Sequence, residues 1–393
     1  MLEVFIMQRT TKRATVLLCA LGFFCVSSVA LASTTLRYAT GYPPGSLPAD
    51  AAQEYAKKVE QYSDGELKLK VYALSLLNAS ETSDGIRSGI ADGGYLLTVY
   101  FPSMYPHTNL VNESSMQLSL FDQDQLNGKG ALAFEGAMAE FTFFHCPECL
   151  KEYQDQGQIY TANAASSSYG LLCNKPVTNE AQLKGKRLRV AGSHWSRWSD
   201  RFGATSMSMT INDTLEALSQ GVIDCTISSA PELINLGLLE AVTDITMTVP
   251  GGVYAGANAG SFNLGKWRGL NENQRQAILR AGAYFTAATP WSYLELEQEA
   301  LRRAKEGGAT LHQADPALVQ ASREFTEKDL NTIIAYYKDK HGVERGEEML
   351  KTFKELLTKW VGLVQPVDSL DQLETLYWDQ VFSKVDAKTY GME

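Results

Sequence analysis

The chain has 393 residues, 35 of them basic and 45 acidic, for a formal net charge of −10 at neutral pH. An acidic surface repels phosphate backbones and anionic lipid, and no local basic patch offsets it, so nucleic-acid binding and membrane-surface attachment are excluded. Past residue 32 the balance is 32 basic against 44 acidic, a net charge of −12 over 361 residues; that length exceeds what one core supports, and two lobes are expected.

In chain order, Lys12 and Arg13 precede a charge-free run over 14–32 that closes on Ala30-Leu31-Ala32, the small-x-small pattern of a cleavage site. Its strongly apolar part, 16–26, is short of the roughly 20 residues that span a bilayer. Residues 1–32 therefore read as a secretory signal peptide and the mature protein as soluble and periplasmic. Leu18 and Phe24, rather than small residues, precede Cys19 and Cys25, which argues against a lipid-modified cysteine. A strand over 36–40, the turn Gly41-Tyr42-Pro43-Pro44-Gly45, a helix over 49–62 and a strand carrying Leu67, Leu69 and Val71 follow. This is the grammar of an α/β lobe. A helix ending near Ser88-Gly89 then turns into 95–100.

The same grammar restarts near Ser166, with strands over 169–173 and 186–190, a helix over 195–202, a short strand over 207–209 and a helix over 213–220. Gly89-Ile90-Ala91-Asp92 is echoed by Gly221-Val222-Ile223-Asp224. In each, glycine suits the left-handed end of a helix and aspartate caps the turn into a strand, so the echo predicts two similarly built lobes. From Asn271 the pattern is helical: 272–285, then 290–305 with Pro290 either kinking the run or starting a new helix, then 316–340, 345–361 and 369–382.

Arg189 lies between Leu188 and Val190 near the carboxyl end of a strand that is followed by glycine and a helix. Ligands of open α/β sheets bind beyond such strand ends, and guanidinium presents a planar fork that fits a carboxylate. Local context alone favours an arginine paired with a structural aspartate or exposed to water. His194, Trp195 and Trp198 follow at helical spacing; Trp195 offers an apolar wall and His194 a hydrogen bond, or all three serve helix packing. Tyr42, Tyr95, Tyr100, Phe101 and Tyr105 form a similar aromatic set in the first lobe, of which one or two are expected to reach a cleft, Tyr42 and Tyr100 first among them.

Four cysteines remain after the signal peptide: Cys146, Cys149, Cys173 and Cys225. An even count in an oxidising compartment suggests bridges, with three connectivities open. A zinc site needs about four ligands, and no second CxxC or spaced histidine pair completes one around Cys146 and Cys149. A redox CxxC would usually open a helix after a strand, whereas helix precedes this one. The five histidines are scattered, and no GxSxG elbow, HExxH helix or glycine-rich phosphate loop occurs. No catalytic residue, metal site or cofactor is expected.

The run Leu183-Lys184-Gly185-Lys186-Arg187-Leu188-Arg189-Val190, with Phe202-Gly203-Ala204-Thr205, Met209, Glu216-Ala217-Leu218, Gly221-Val222-Ile223-Asp224, Phe262-Asn263-Leu264 and Trp267, resembles the DctP-type substrate-binding proteins of tripartite ATP-independent periplasmic (TRAP) transporters. The likeness extends from about Leu36 to the C-terminal helices. It implies an α/β, two-lobed periplasmic binding protein fold (type II-like) with crossing strands, a long helix spanning both lobes and a helical C-terminus. The expected division is 33–165 with a return segment at about 255–290 for the first lobe, and 166–254 with about 291–393 for the second. The resemblance makes Arg189 the residue that pairs with a ligand carboxylate, with Ser228 and Tyr169 as polar contacts. Three positions depart from the family pattern: Ala191 replaces a common proline, Ser228 a common asparagine, and Tyr169 the second arginine of sialic-acid binders, which points away from that ligand class.

The function implied is capture of a small organic acid and its delivery to the small and large TRAP membrane subunits, by a monomer or homodimer. Two alternatives stand beside it. One is a periplasmic thiol-disulfide enzyme using Cys146 and Cys149, and the other a ligand sensor for a membrane receptor.

Overall fold

The computed structural model describes residues 33–393, and the expected signal peptide lies outside the described residues. Residues 33–393 form one compact unit carrying two six-stranded sheets. The first sheet takes β1 (Thr34–Thr40), β2 (Leu67–Ala73), β3 (Gly93–Leu97), β4 (Gln158–Ile159) and β5 (Asn163–Ala164). The second takes β6 (Tyr169–Cys173), β7 (Arg187–Val190), β8 (Thr205–Ser208), β9 (Cys225–Ser229) and β10 (Asp244–Thr246). The chain then returns: β11 (Ala257–Asn263) enters the first sheet, and β12 (Thr310–His312) the second. Strand order is β2-β1-β3-β11-β4, with β5 also on β11, and β12-β10-β6-β9-β7-β8. Strands β3 and β9 are buried at every residue, as interior strands covered on both faces must be.

The short sequence echo is a repeated piece of structure. In the first sheet β1 runs parallel to β3, and in the second β7 runs parallel to β9. Gly89 and Gly221 both take positive φ, 78° and 66°, at the helix ends before β3 and β9. Asp92 accepts hydrogen bonds from the backbone N–H and the guanidinium of Arg37, and Asp224 accepts the same set from Arg187. The aspartate N–H returns a bond to the arginine carbonyl in each, at 2.8 Å. Arg187 holds the Asp224 carboxyl below the usual carboxylate range. A charge-assisted bond contributes roughly 1.5–3 kcal/mol, and the Arg187 side chain is 43% exposed, so screening places Asp224→Ala at the lower end, about 1–2 kcal/mol less stable by urea denaturation at pH 7.

Three connections cross between the sheets. Residues 165–168 and 247–256 run side by side, laced by Ser166 N–H to Tyr254 carbonyl (2.9 Å), Tyr169 N–H to Gly252 carbonyl (2.9 Å) and Gly251 N–H to Tyr169 carbonyl (3.1 Å). The third is the helix Glu272–Glu306, opened by a capping box between Asn271 and Gln274. Its 35 residues extend about 50 Å, and Pro290 lies inside it, so 272–306 is one helix rather than two. Gly282 sits where that helix passes the Thr161 carbonyl; a Cβ there would collide with the carbonyl oxygen.

The C-terminal helices differ from the expected division. Gly346–Val364 packs on Gly130–Phe144 beside the first sheet, where Phe353 meets Phe134 and Phe141 edge-on and Trp360 Nε1 donates to Glu140 (2.6 Å). Leu370–Gln380 closes over the same region through Tyr377 Oη to the Leu132 carbonyl (2.7 Å) and the Arg280–Glu374 ion pair (2.6 Å). Apolar faces on these helices find their complement there, so much of 291–393 belongs with the first sheet. The second sheet keeps residues 291–312, through Ala300, Ala304 and β12, and of the later helices Pro316–His341 reaches it, through Arg197–Asp329 (2.7 Å) and Trp198 Nε1 to Ser322 (3.1 Å). No described helix is long and apolar enough to cross a membrane.

The cysteines pair as Cys146–Cys149 and Cys173–Cys225. The second bridge joins residues directly opposite in the β6–β9 ladder. Cys146 caps the helix Pro147–Asp155, which follows a helix and not a strand, and both of its bridge sulfurs are buried.

Candidate functional site

Arg189 is 1% exposed on β7. Its register partners are Met207 on β8 and Thr226 on β9; Ser228, two residues beyond Thr226, shares that face of the sheet. The guanidinium donates from Nε to the Met209 carbonyl (3.1 Å) and from Nη2 to Tyr100 Oη (2.9 Å). Guanidinium carries five N–H donors, and among the described residues Nη1 has no acceptor and no carboxylate stands at ion-pair distance. Buried charge of this kind is costly unless an opposite charge answers it.

Tyr100 comes from the other side. Strand β3 ends at Leu97, and one 3-10 turn over Thr98–Tyr100 swings the tyrosine across the gap. Its hydroxyl oxygen accepts from Arg189 and from Ile211 N–H (2.9 Å). Both lone pairs are thus occupied, which leaves the O–H as a donor for a third group. Other bonds close the same gap: Asn212 Nδ2 donates to the Gly41 carbonyl (2.8 Å), Leu47 N–H to Asn235 Oδ1 (3.0 Å), and Ser193 N–H to Glu113 (2.9 Å).

Tyr169 opens β6 at this gap, its ring stacked on Trp195 at 4.3 Å and 10°. Trp195 is fully buried and anchored by Nε1 to the Gly251 carbonyl (3.0 Å), so it forms the backing of the wall and Tyr169 its surface. Tyr42 meets Tyr95 edge-on at 5.8 Å; burial pushes both phenols well up, so they act as neutral hydroxyls. Phe101 and Tyr105 pack instead, Tyr105 with its hydroxyl bonded to Ser83 and Gln158. Of the two readings left open for His194, hydrogen bond or packing, its surroundings are those of packing. Its ring is wholly buried 4.0 Å from Trp195, with neither nitrogen bonded, and burial together with Arg197 drives it well toward the neutral form. The structure therefore groups Arg189, Tyr100, Tyr169, Ser228 and Tyr42 near one gap, with Trp195 behind them and His194 in the packing.

Sequence reasoning missed Glu232, on the short turn of helix Glu232–Asn235 just beyond β9. Its position three residues past the end of β9 was the available signal. Burial raises its carboxyl to about 7, while Tyr293, the adjacent Asn235 amide and Arg189 pull the other way; Asn235 leans toward it without a formed hydrogen bond. A folded-state value above the ordinary 4.5 makes this group's contribution to stability complete below about pH 4.5 and lost as pH rises through 7. The loss is roughly 3 kcal/mol, so Glu232→Gln is expected to exceed the wild type in stability at pH 8, with the gap closing near pH 5, in parallel urea titrations.

Two cavities lie outside this cluster: one of about 550 Å³ behind the crossing segments, lined by Ser167, Gly251, Glu297 and Arg323, and one of about 800 Å³ at the surface near Asp50 and Glu299. Neither is lined by Arg189. The case for the Arg189 cluster rests on its buried, unanswered charge and not on open volume.

The fold has many solved counterparts. A binding protein from an unidentified marine microbe, described as a TRAP solute binding protein specific for aromatic acid ligands and solved with 3-hydroxybenzoate, aligns with TM-score 0.70 at 20% identity over 84% of this chain and 99% of its own. A TRAP periplasmic solute binding protein from Desulfovibrio salexigens aligns at 0.65 and 24% identity over 84% and 97%. A second marine protein, described as specific for pyroglutamate, aligns at 0.67 and 17% identity over 82% and 99%. The profile of the DctP family, described as bacterial extracellular solute-binding protein, family 7, matches residues 38–336. With its two sheets, its crossing segments and three-quarters of its length inside that profile, the chain belongs to the DctP family of bacterial extracellular solute-binding proteins.

Proposed function

We propose that this chain captures a small organic acid in the gap between its two sheets and delivers it, unaltered, to the membrane subunits of a TRAP transporter from the periplasm. One observation carries the reading: Arg189 is buried, has N–H donors to spare, and among the described residues has no carboxylate within ion-pair reach. An anionic ligand supplies the missing charge, with Nη1 and Nη2 gripping the carboxylate and the Tyr100 hydroxyl donating beside them. Ser228 and Tyr169 add polar contacts, Trp195 stiffens the Tyr169 wall, and Tyr42 covers the ligand from the first lobe. The carboxylates bound by the pyroglutamate and aromatic-acid relatives support this choice of ligand class.

Closure follows from a ligand touching both lobes, because differential affinity is what shifts a two-state equilibrium. The bridges across the gap from Tyr100, Asn212 and Asn235 support a closed form that the ligand favours. A thermal-shift screen of organic acids tests the reading. A cognate acid at a hundredfold over its Kd stabilises by about 2.7 kcal/mol and raises Tm measurably, whereas a panel of sugars and cations without carboxylates leaves it unchanged. Stabilisation by neutral sugars alone would remove the acid from the account.

A further inference from the structure

Glu232 is the second charged group of the Arg189 cluster, and nothing in the capture of a plain carboxylate uses it. The side chain is 3% exposed. Its Oε1 accepts a hydrogen bond from Tyr293 Oη on the long helix (2.6 Å), while Oε2 is buried with no partner. A buried carboxylate oxygen left unpaired carries the full desolvation cost and calls for an explanation. The Asn235 amide, its Nδ2 likewise unpartnered, lies beside it, and the titratable groups near enough to act on it are Arg189 and Tyr169 from the second sheet, Tyr42, Tyr95 and Tyr100 from the first, and Tyr293 from the helix between. Arg189 is near enough to favour the ionised carboxylate, yet the two form no ion pair. Guanidinium and carboxylate thus stand as separate poles of one buried cluster.

Resting on the carboxylate reading above, we propose that Glu232 is a specificity-determining ligand contact and that the cognate acid carries a nitrogen whose N–H, ammonium or amide, donates to Oε2 while Arg189 holds the carboxylate. Two poles of opposite sign fit a molecule that is an anion at one end and a donor at the other. A diacid would bring its second carboxylate against Glu232 as a like charge. A hydrocarbon acid would leave Oε2 unpaired, the arrangement by which a polar site rejects an analogue lacking one donor.

The test uses matched acids that differ at one atom position: L-proline against cyclopentanecarboxylate, L-pyroglutamate against 3-oxocyclopentanecarboxylate, L-glutamate against glutarate, and 3-aminobenzoate against 3-methylbenzoate. Each is titrated calorimetrically into the wild type, Glu232→Leu and Glu232→Gln. The tightest acid is expected to contain an N–H donor and to bind at least tenfold better than its partner without one. Glu232→Leu should erase that preference while leaving the nitrogen-free partner's affinity within about threefold, and Glu232→Gln, which keeps an acceptor, should retain part of it for amide N–H. A tightest acid with no N–H, or an equal loss on both partners in Glu232→Leu, overturns the role of Glu232 and leaves the carboxylate reading standing. Absence of binding by every acid, in the wild type, overturns both.

Discussion

Arg189→Ala is expected to weaken binding of the cognate acid about ten- to a hundredfold, read by isothermal titration calorimetry. The magnitude follows from the chemistry of the contact. A hydrogen bond to a charged group contributes roughly 1.5–3 kcal/mol, and each 1.4 kcal/mol is a factor of ten in Kd. The variant also removes the donor that Nη2 extends to Tyr100, so the hydroxyl loses the partner that orients it. Arg189→Lys restores the charge without the planar fork and should recover only part of the affinity. An unchanged Kd in Arg189→Ala would take the guanidinium out of the site.

The second large effect is on stability. The Cys173–Cys225 bridge closes a separation of 52 residues, against 3 for Cys146–Cys149. Chain entropy assigns about 4 kcal/mol to the first and about 2 to the second. Replacing Cys173 and Cys225 together by alanine should therefore lower the urea midpoint about twice as far as replacing Cys146 and Cys149. The reverse order would mean that the short bridge anchors more of the fold than its loop length allows. The same bridges bear on the thiol-exchange alternative: with both sulfurs of Cys146–Cys149 buried at a helix start, alkylation of the native protein after mild reduction should label neither cysteine.

Much of the architecture was legible because period and punctuation agree locally. Leu67, Leu69 and Val71 alternate as a half-buried strand should, and Asn271 with Gln274 spells the start of the long helix. The four-residue echo was legible too, although its meaning was not: the aspartates answer Arg37 and Arg187 on neighbouring strands, a pairing that only sheet register reveals. Register also decides the disulfides, since Cys173 and Cys225 face each other only once β6 and β9 are aligned. Pro290 carried two readings because its missing N–H is tolerated both at a helix start and within a helix held by neighbours.

The site was half legible. Arg189 drew notice from its place near the carboxyl end of a strand followed by glycine and a helix, but the family resemblance, not local context, singled it out as the ligand's partner. Tyr100 and Glu232 did not stand out in the same way. Tyr100 was one of five aromatics in a row of candidates, and only the turn that ends β3 early aims it at Arg189. Glu232 follows Ala230-Pro231, which reads as an ordinary exposed helix start; its burial comes from Tyr293, some sixty residues on, closing over it. His194 had two readings, a hydrogen bond or helix packing. A histidine beside a candidate anchor invites a chemical role, and packing against Trp195 absorbed it.

The most direct measurement is a crystal structure of the protein bound to the acid selected by the thermal-shift screen. The ligand carboxylate should lie about 3 Å from Arg189 Nη1 or Nη2 and within hydrogen-bond distance of Tyr100 Oη, enclosed between the two sheets. A ligand seated in the cavity behind the crossing segments, or one whose carboxylate is held by other residues while Arg189 stays unanswered, would contradict the account.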